Sequence, residues 1–172
     1  MSRLFSAAVL LAVLPTLVSA QEPEYEPRHD NPSGEELVLA FVSSTWCVGN
    51  RAPGLHEAIE QAKLTMSQRA VVEGIDFRAI GVSLDWPADS GIAYLKEFGE
   101  FDEMVVGSNW WNMGAQALIW EDEQTNPSIP QVIIFRREIS TTPSFGPRHV
   151  LKRVEGGDTI VDWVQTGAKL SE

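Results

Sequence analysis

Two stretches of this chain, residues 37–42 (LVLAFV) and 131–136 (QVIIFR), are apolar almost without interruption. Runs of this length, rich in β-branched and aromatic residues, describe strands buried on both faces rather than strands with one wet side. Such a strand needs helices above and below it, so the pair already points to an α/β layered fold. The segment between them supplies the helices. Leu55, Ile59, Ala62, Met66 and Ala70 form one apolar stripe at helical spacing, ending at Gly74 with Arg69 in the last turns. Residues 77–84 (FRAIGVSL) return to strand chemistry. Residues 89–98 fit a short helix capped by Asp89 or Ser90. Residues 104–106 read as a short strand, and 111–120 carry a helical pattern through Trp111, Ala115 and Leu118. After the second apolar run comes a strand at 150–154 and a turn at Gly156-Gly157. A last helix follows, capped by Asp158 and packing through Ile160, Val161 and Val164. Strands alternate with helices and then finish strand–strand–helix. The expectation is a mixed three-layer α/β sandwich, with a parallel core and an antiparallel final pair.

The N-terminal segment does not fit this scheme. Arg3, an apolar run over residues 7–14 and the small-residue close Val18-Ser19-Ala20 read as a signal peptide over residues 1–20, with Gln21 as the new N-terminus. The run is shorter than the roughly 20 apolar residues of a membrane span. Residues 21–34 (QEPEYEPRHDNPSG) are rich in Pro and Glu and read as a flexible, extended tether. The folded domain is expected over 35–172. At 172 residues the chain allows one ordinary domain. The leader implies a periplasmic or secreted protein with no stable membrane insertion after cleavage.

Composition removes several function classes. With 13 Lys+Arg against 24 Asp+Glu, the net charge is -11, which is the wrong sign for a nucleic-acid partner. A single Cys excludes an internal disulfide, a CxxC dithiol and a Cys-rich zinc site. No HxxxH, HExxH, phosphate-binding glycine loop or GxSxG is present, so neither a metal nor a cofactor is expected.

The order of elements meets the sequence Phe41-Val-Ser-Ser-Thr-Trp46-Cys47-Val48-Gly49-Asn50 at the end of the first buried run. This resembles the thioredoxin-like superfamily, in which a buried strand enters a Trp-Cys-x-x-Cys turn before a long helix. Ser128-Ile129-Pro130 followed by residues 131–135 resembles the family's cis-proline loop and next strand, and Val154-Glu-Gly-Gly157 fits the close. The resemblance covers residues 35–170 and implies a thioredoxin-like three-layer sandwich with a mixed sheet. Residues 98–128, with Asn109-Trp110-Trp111-Asn112-Met113-Gly114-Ala115, exceed a minimal thioredoxin and resemble the insert of exported branches.

The resemblance places Cys47 at the nucleophile position and Asn50 where the resolving Cys belongs. A dithiol clears a mixed disulfide because its second thiol attacks intramolecularly at high effective concentration. With Asn50 there, a mixed disulfide on Cys47 persists until an outside thiol arrives. The family's buried acid in the preceding strand is also missing, since residues 40–42 are all apolar. Two placements of Cys47 stay open. Gly49-Asn50 can cap the long helix, giving the sulfur the helix dipole, or Ala52-Pro53 can start that helix later and leave Cys47 in a loop.

Ile129 and Pro130 are implied as the backbone edge that an extended client segment joins as an added strand. Trp46, Trp110 and Trp111 complete the candidate binding set: Trp110 and Trp111 either line a cleft beside Cys47 or fill the core, and Trp46 either shields the sulfur or fills the sheet end. His56 is too far along the helix to pair with Cys47. Two readings follow: monothiol exchange with a protein or peptide client through a mixed disulfide, or a redox-inactive peptide-binding module. A peroxidatic thiol is disfavoured, because Ala40 stands where the peroxiredoxin signature has Pro.

Overall fold

The computed structural model describes residues 23–28, 30, 34–121, 127–139 and 148–170. Five strands form one sheet: β1 (Gly34–Ser43), β2 (Asp76–Ser83), β3 (Glu103–Val105), β4 (Gln131–Ile139) and β5 (His149–Glu155), in the order β3-β2-β1-β4-β5. β1, β2 and β3 run parallel, while β4 is antiparallel to both β1 and β5. The mixed sheet and its antiparallel final pair match the sequence expectation. The 1–20 leader lies outside the described residues.

β1 is central and buried because both of its edges are paired and both of its faces are covered. Leu37, Leu39 and Phe41 face one cluster, with α1 (Leu55–Glu73), α2 (Ala88–Lys96) and α4 (Gly157–Gln165) packed over it. Val38, Ala40 and Val42 face a second cluster with Ala115, Leu118, Ile119, Ile133 and Phe135. Full burial of each large apolar side chain stabilises by about 1.5–3 kcal/mol, so a bare second face would be costly. The segment after β3 covers that face. It is not the single helix expected over 111–120, but a 3-10 turn (Asn109–Trp111), one α-turn, α3 (Met113–Ala115), and a π-turn (Gln116–Trp120). Asn112 causes the break: its backbone is extended and its side chain accepts from Gly114 N–H at 2.7 Å. Trp111 therefore leaves the apolar stripe.

Other elements differ only at their ends. α1 closes on Gly74 in a left-handed conformation, as Gly permits. α2 begins after Pro87, with Asp89 inside its first turn, and α4 begins after Gly156, with Asp158 inside its first turn. Neither acid is the cap.

Charged residues are built into the core. Glu36, fully buried on β1, accepts from Arg78 on β2 at 3.0 Å and from Arg137 on β4 at 2.9 Å. Lys63 is fully buried on the inner side of α1 and donates to the carbonyls of Phe98 and Glu100, both at 2.8 Å. Burial pushes Lys63 below the usual lysine value, with Glu60 opposing.

Part of the segment read as a tether docks on this region. Tyr25 is buried, packs edge-on against Phe77 and donates to Asp102 at 2.6 Å. The Lys63 ammonium lies 5.5 Å from the Tyr25 ring centroid, and Arg28 pairs with Asp76.

Removing one partner of a buried ion pair strands the other charge. Glu36 is the shared acceptor of Arg78 and Arg137, and Arg137 also keeps Glu103, so it is Glu36→Leu that leaves Arg78 buried and uncompensated. This variant is expected to cost about 3–5 kcal/mol in urea unfolding, while the double variant Glu36→Leu/Arg78→Leu recovers most of that loss.

Candidate functional site

The register of the sheet builds the site. Val42 pairs with Gln131, so the exit from β1 lies beside the entry into β4. Cys47 follows a tight turn whose amide bonds Ser44 O at 3.2 Å, and it leads into a 3-10 turn (Val48–Arg51). α1 begins only at Leu55, after Gly54 at φ 80°. Of the two placements, the loop is observed, and Cys47 has no long-helix dipole behind it. Its thiol is half-buried and donates to Ile129 O at 3.1 Å, and the Ile129–Pro130 peptide is cis. Among the described residues no acceptor engages the Ile129 N–H.

Close backbone approach holds these pieces together. A Cβ on Gly49 would lie 2.5 Å from Pro130 Cδ, and one on Gly157 would lie 2.0 Å from Gly49 O. A side chain at either position forces its neighbour to shift.

Asn50 is fixed by polar contacts. Ser43 Oγ donates to Asn50 Oδ1 at 2.6 Å, and Asn50 Nδ2 donates to Ser44 O. Beneath it, the Tyr94 hydroxyl and Ser44 Oγ are buried with no hydrogen-bond partner among the described residues. Burial pushes the Tyr94 hydroxyl well above its ordinary value; the Ser43 hydroxyl opposes this, and the negative charges of Asp85 and Glu97 add to it.

Asp85 escaped the sequence reading. It is buried just past β2 and accepts from Thr45 N at 3.2 Å, Thr45 Oγ1 at 2.5 Å and Ser83 Oγ at 2.7 Å. It thus locks the turn before Cys47. Its signal was its position, an acid directly after a buried strand, where open α/β sheets gather functional residues.

The tryptophans divide. Trp46, Trp86 and Trp111 are 52%, 66% and 78% exposed, whereas Trp110 is half-buried and packs edge-on against Trp120 at 5.7 Å. Trp46 is too exposed to fill the sheet end, and Trp86, which the candidate set did not include, is exposed just past β2. Asn112 Nδ2 donates to Ser83 O at 3.1 Å and Ser108 N to Trp86 O at 3.4 Å, tying the Trp111 loop to the end of β2.

The histidines stay apart from this group. His56 stacks on Phe98 at 4.4 Å and faces Glu97, His149 opens β5, and His29 lies outside the described residues. Among the described residues, no group of three His, Cys, Asp or Glu is placed to hold a metal. In the acidic runs, Asp102 accepts from Tyr25 and from the Ala79 amide, Glu103 pairs with Arg137, and Glu121 pairs with Arg148. Asp122 and Glu123 lie outside the described residues.

No family model matches the sequence, and no curated protein matches it significantly. Solved structures similar to the chain include a secreted thiol-disulfide isomerase from Corynebacterium glutamicum, at 14% identity over 78% of this chain and 70% of that one, with a TM-score of 0.45. A thiol:disulfide interchange protein from Bacteroides sp. is 13% identical over 78% and 73%, with a TM-score of 0.39. Yeast Sco1 with copper bound is 12% identical over 79% and 80%, with a TM-score of 0.40. Three parallel strands and an antiparallel pair in the order β3-β2-β1-β4-β5, with a cis-Pro entering β4 beside Cys47, make the thioredoxin-like sandwich that the sequence resemblance implied.

The arrangement brings together a half-buried thiol, the Ile129–Pro130 loop and the Asn50 amide. With one Cys in the chain, any disulfide chemistry is that of Cys47 alone.

Gly49→Ala is expected to push Pro130 away, lowering stability by about 1–3 kcal/mol in urea unfolding and shifting the Ile129 amide signal. The pH response concerns the chain's 2 Tyr residues, both raised chiefly by burial. An acid raised in the folded state stabilises fully below its unfolded value, about 10 for Tyr, and loses that contribution as pH climbs above it. Near-ultraviolet titration is therefore expected to show no tyrosinate before alkaline unfolding, and then both residues together.

Proposed function

We propose that this chain is an exported thioredoxin-like protein that carries out monothiol exchange at Cys47 with a client polypeptide. In this reading residues 1–20 are removed as a leader, residues 35–172 form the working domain, and the protein acts in the periplasm or outside the cell. The observation that carries the proposal is the half-buried Cys47 thiol, 3.1 Å from Ile129 O in the loop that enters β4, where no acceptor among the described residues engages the Ile129 N–H. An extended client segment pairing with Ile129 would bring its own sulfur to Cys47.

The exchange balances without a second protein thiol. The Cys47 thiolate attacks one sulfur of a client disulfide, the client S–S bond breaks, and a Cys47–client S–S bond forms. The displaced client sulfur leaves as a thiolate and takes up the proton that Cys47 gave up. A second client thiol then attacks the mixed disulfide, freeing Cys47 and leaving an isomerised client with no net change in oxidation. Two equivalents of a small external thiol in that role would leave the client reduced instead, the small thiol being oxidised to its own disulfide.

A redox-inactive binding module is the second reading. It is favoured by the loop placement of Cys47, which denies the sulfur the stabilisation that a long helix N-terminus gives a thiolate.

Incubation with a disulfide-bonded peptide, followed by acid quench and intact mass, separates the two. Exchange predicts a covalent peptide adduct on Cys47 that is absent in Cys47→Ser. Asn50→Cys is expected to shorten the adduct's lifetime by at least about a hundredfold, because it restores intramolecular attack. A peptide that binds without ever forming an adduct would leave only the binding module.

A further inference from the structure

The loops that surround Cys47 carry more information than its thiol. Trp46, Val48, Trp86, Trp111 and Met113 are all exposed, and among the described residues they account for half of the large hydrophobic side chains left in water. They stand on three loops stitched together: Thr45 to Asp85, Ser108 to Trp86, and Asn112 to Ser83. Exposed tryptophans on a braced frame are the residues that anchor partners.

The charge around this apolar rim is one-sided. In the loops that meet at this end of the sheet, the carboxylates open to solvent are Asp89, Glu155 and Asp158, while Asp85 is buried on Thr45 and Ser83, and Arg51 is the counterpart of opposite sign. Asp89 follows Trp86 by three residues, in the first turn of α2. Glu155 accepts from Ser128 Oγ at 2.5 Å beside the Ile129–Pro130 loop, and Asp158 opens α4 next to Gly157, which abuts Gly49. The next cation, Arg153, is tied to Gln131 and to Leu118 O.

We infer that this face selects extended polypeptide segments carrying Lys or Arg beside apolar residues, so that cationic side chains meet the carboxylate rim and the indole faces while the backbone pairs at Ile129. The inference rests on the client-polypeptide reading and deepens it by naming the client's charge. Attraction to the rim raises local client concentration and fixes register, and cation–π contact with exposed Trp adds selectivity. The same charge argues against an anionic membrane as the occupant, since the chain carries -11 overall and the rim repeats that sign.

The test uses the full chain as Cys47→Ser, with Cys-free peptides, so that binding is read apart from thiol exchange. Three peptides of equal length share one apolar core and carry flanking Lys/Arg, Gln or Glu. Titration by tryptophan fluorescence is expected to rank them Lys/Arg, Gln, Glu, with at least about tenfold between the extremes at low salt and much less at high salt. The exposed double variant Asp89→Asn/Asp158→Asn is expected to remove most of that preference while keeping the Gln peptide's affinity. Trp86→Ala/Trp111→Ala is expected to weaken all three peptides. Equal affinity for the three overturns the inference, even if wild-type Cys47 forms adducts. So does a fluorescence change with phosphatidylglycerol vesicles but none with peptide, or self-association through the tryptophans in sedimentation. If Cys47 forms no adduct but the ranking holds, exchange fails and the charge inference stands.

Discussion

The pairing of Val42 with Gln131 is the constraint from which the rest of the molecule follows. Because β4 runs antiparallel to β1 in that register, the chain leaves β1 where it enters β4, and the cysteine turn faces the Ile129–Pro130 loop. Contact is then close enough that a Cβ on Gly49 or Gly157 would force a neighbour aside. A one-residue slip would turn Leu37, Leu39 and Phe41 to the opposite face and exchange two complementary cores, so apolar burial holds the register. The geometry at Cys47 is in this sense enforced from the centre of the sheet.

The same dependence explains the segment after β3. Val38, Ala40 and Val42 need a cover on the second face, and the turns that include Ala115, Leu118 and Ile119 supply it. Asn112 breaks those turns, and the break sends Trp111 outward while Trp110 stays against Trp120. One residue thereby divides an aromatic pair between packing and exposure.

Much of the fold was legible because it rests on local pattern. The runs at 37–42 and 131–136 and the stripe from Leu55 to Ala70 need only hydrophobic periodicity to be read. What escaped depends on partners distant in sequence. Glu36 and Arg78 look like solvent-facing strand residues until β1 and β2 are paired, and Lys63 looks exposed until the Phe98 and Glu100 carbonyls are brought to it. Tyr25 sits in a segment of tether composition, yet Phe77 and Asp102 make its burial favourable. At the site, Cys47, Asn50 and Ile129–Pro130 were found by motif. Asp85 was not, since its role exists only through Thr45, forty residues earlier.

Chemically, the chain keeps a thioredoxin-like frame while its second position is an amide anchored by Ser43 and Ser44. Under the proposed exchange, such a frame would hold a mixed disulfide on Cys47 rather than clear it. The most direct measurement is the state of Cys47 in protein taken from its own compartment with thiols trapped by acid and alkylation. The account predicts that part of the population carries a polypeptide on Cys47, released by dithiothreitol. Recovery of Cys47 solely as a free alkylated thiol, with no linked polypeptide, would contradict it.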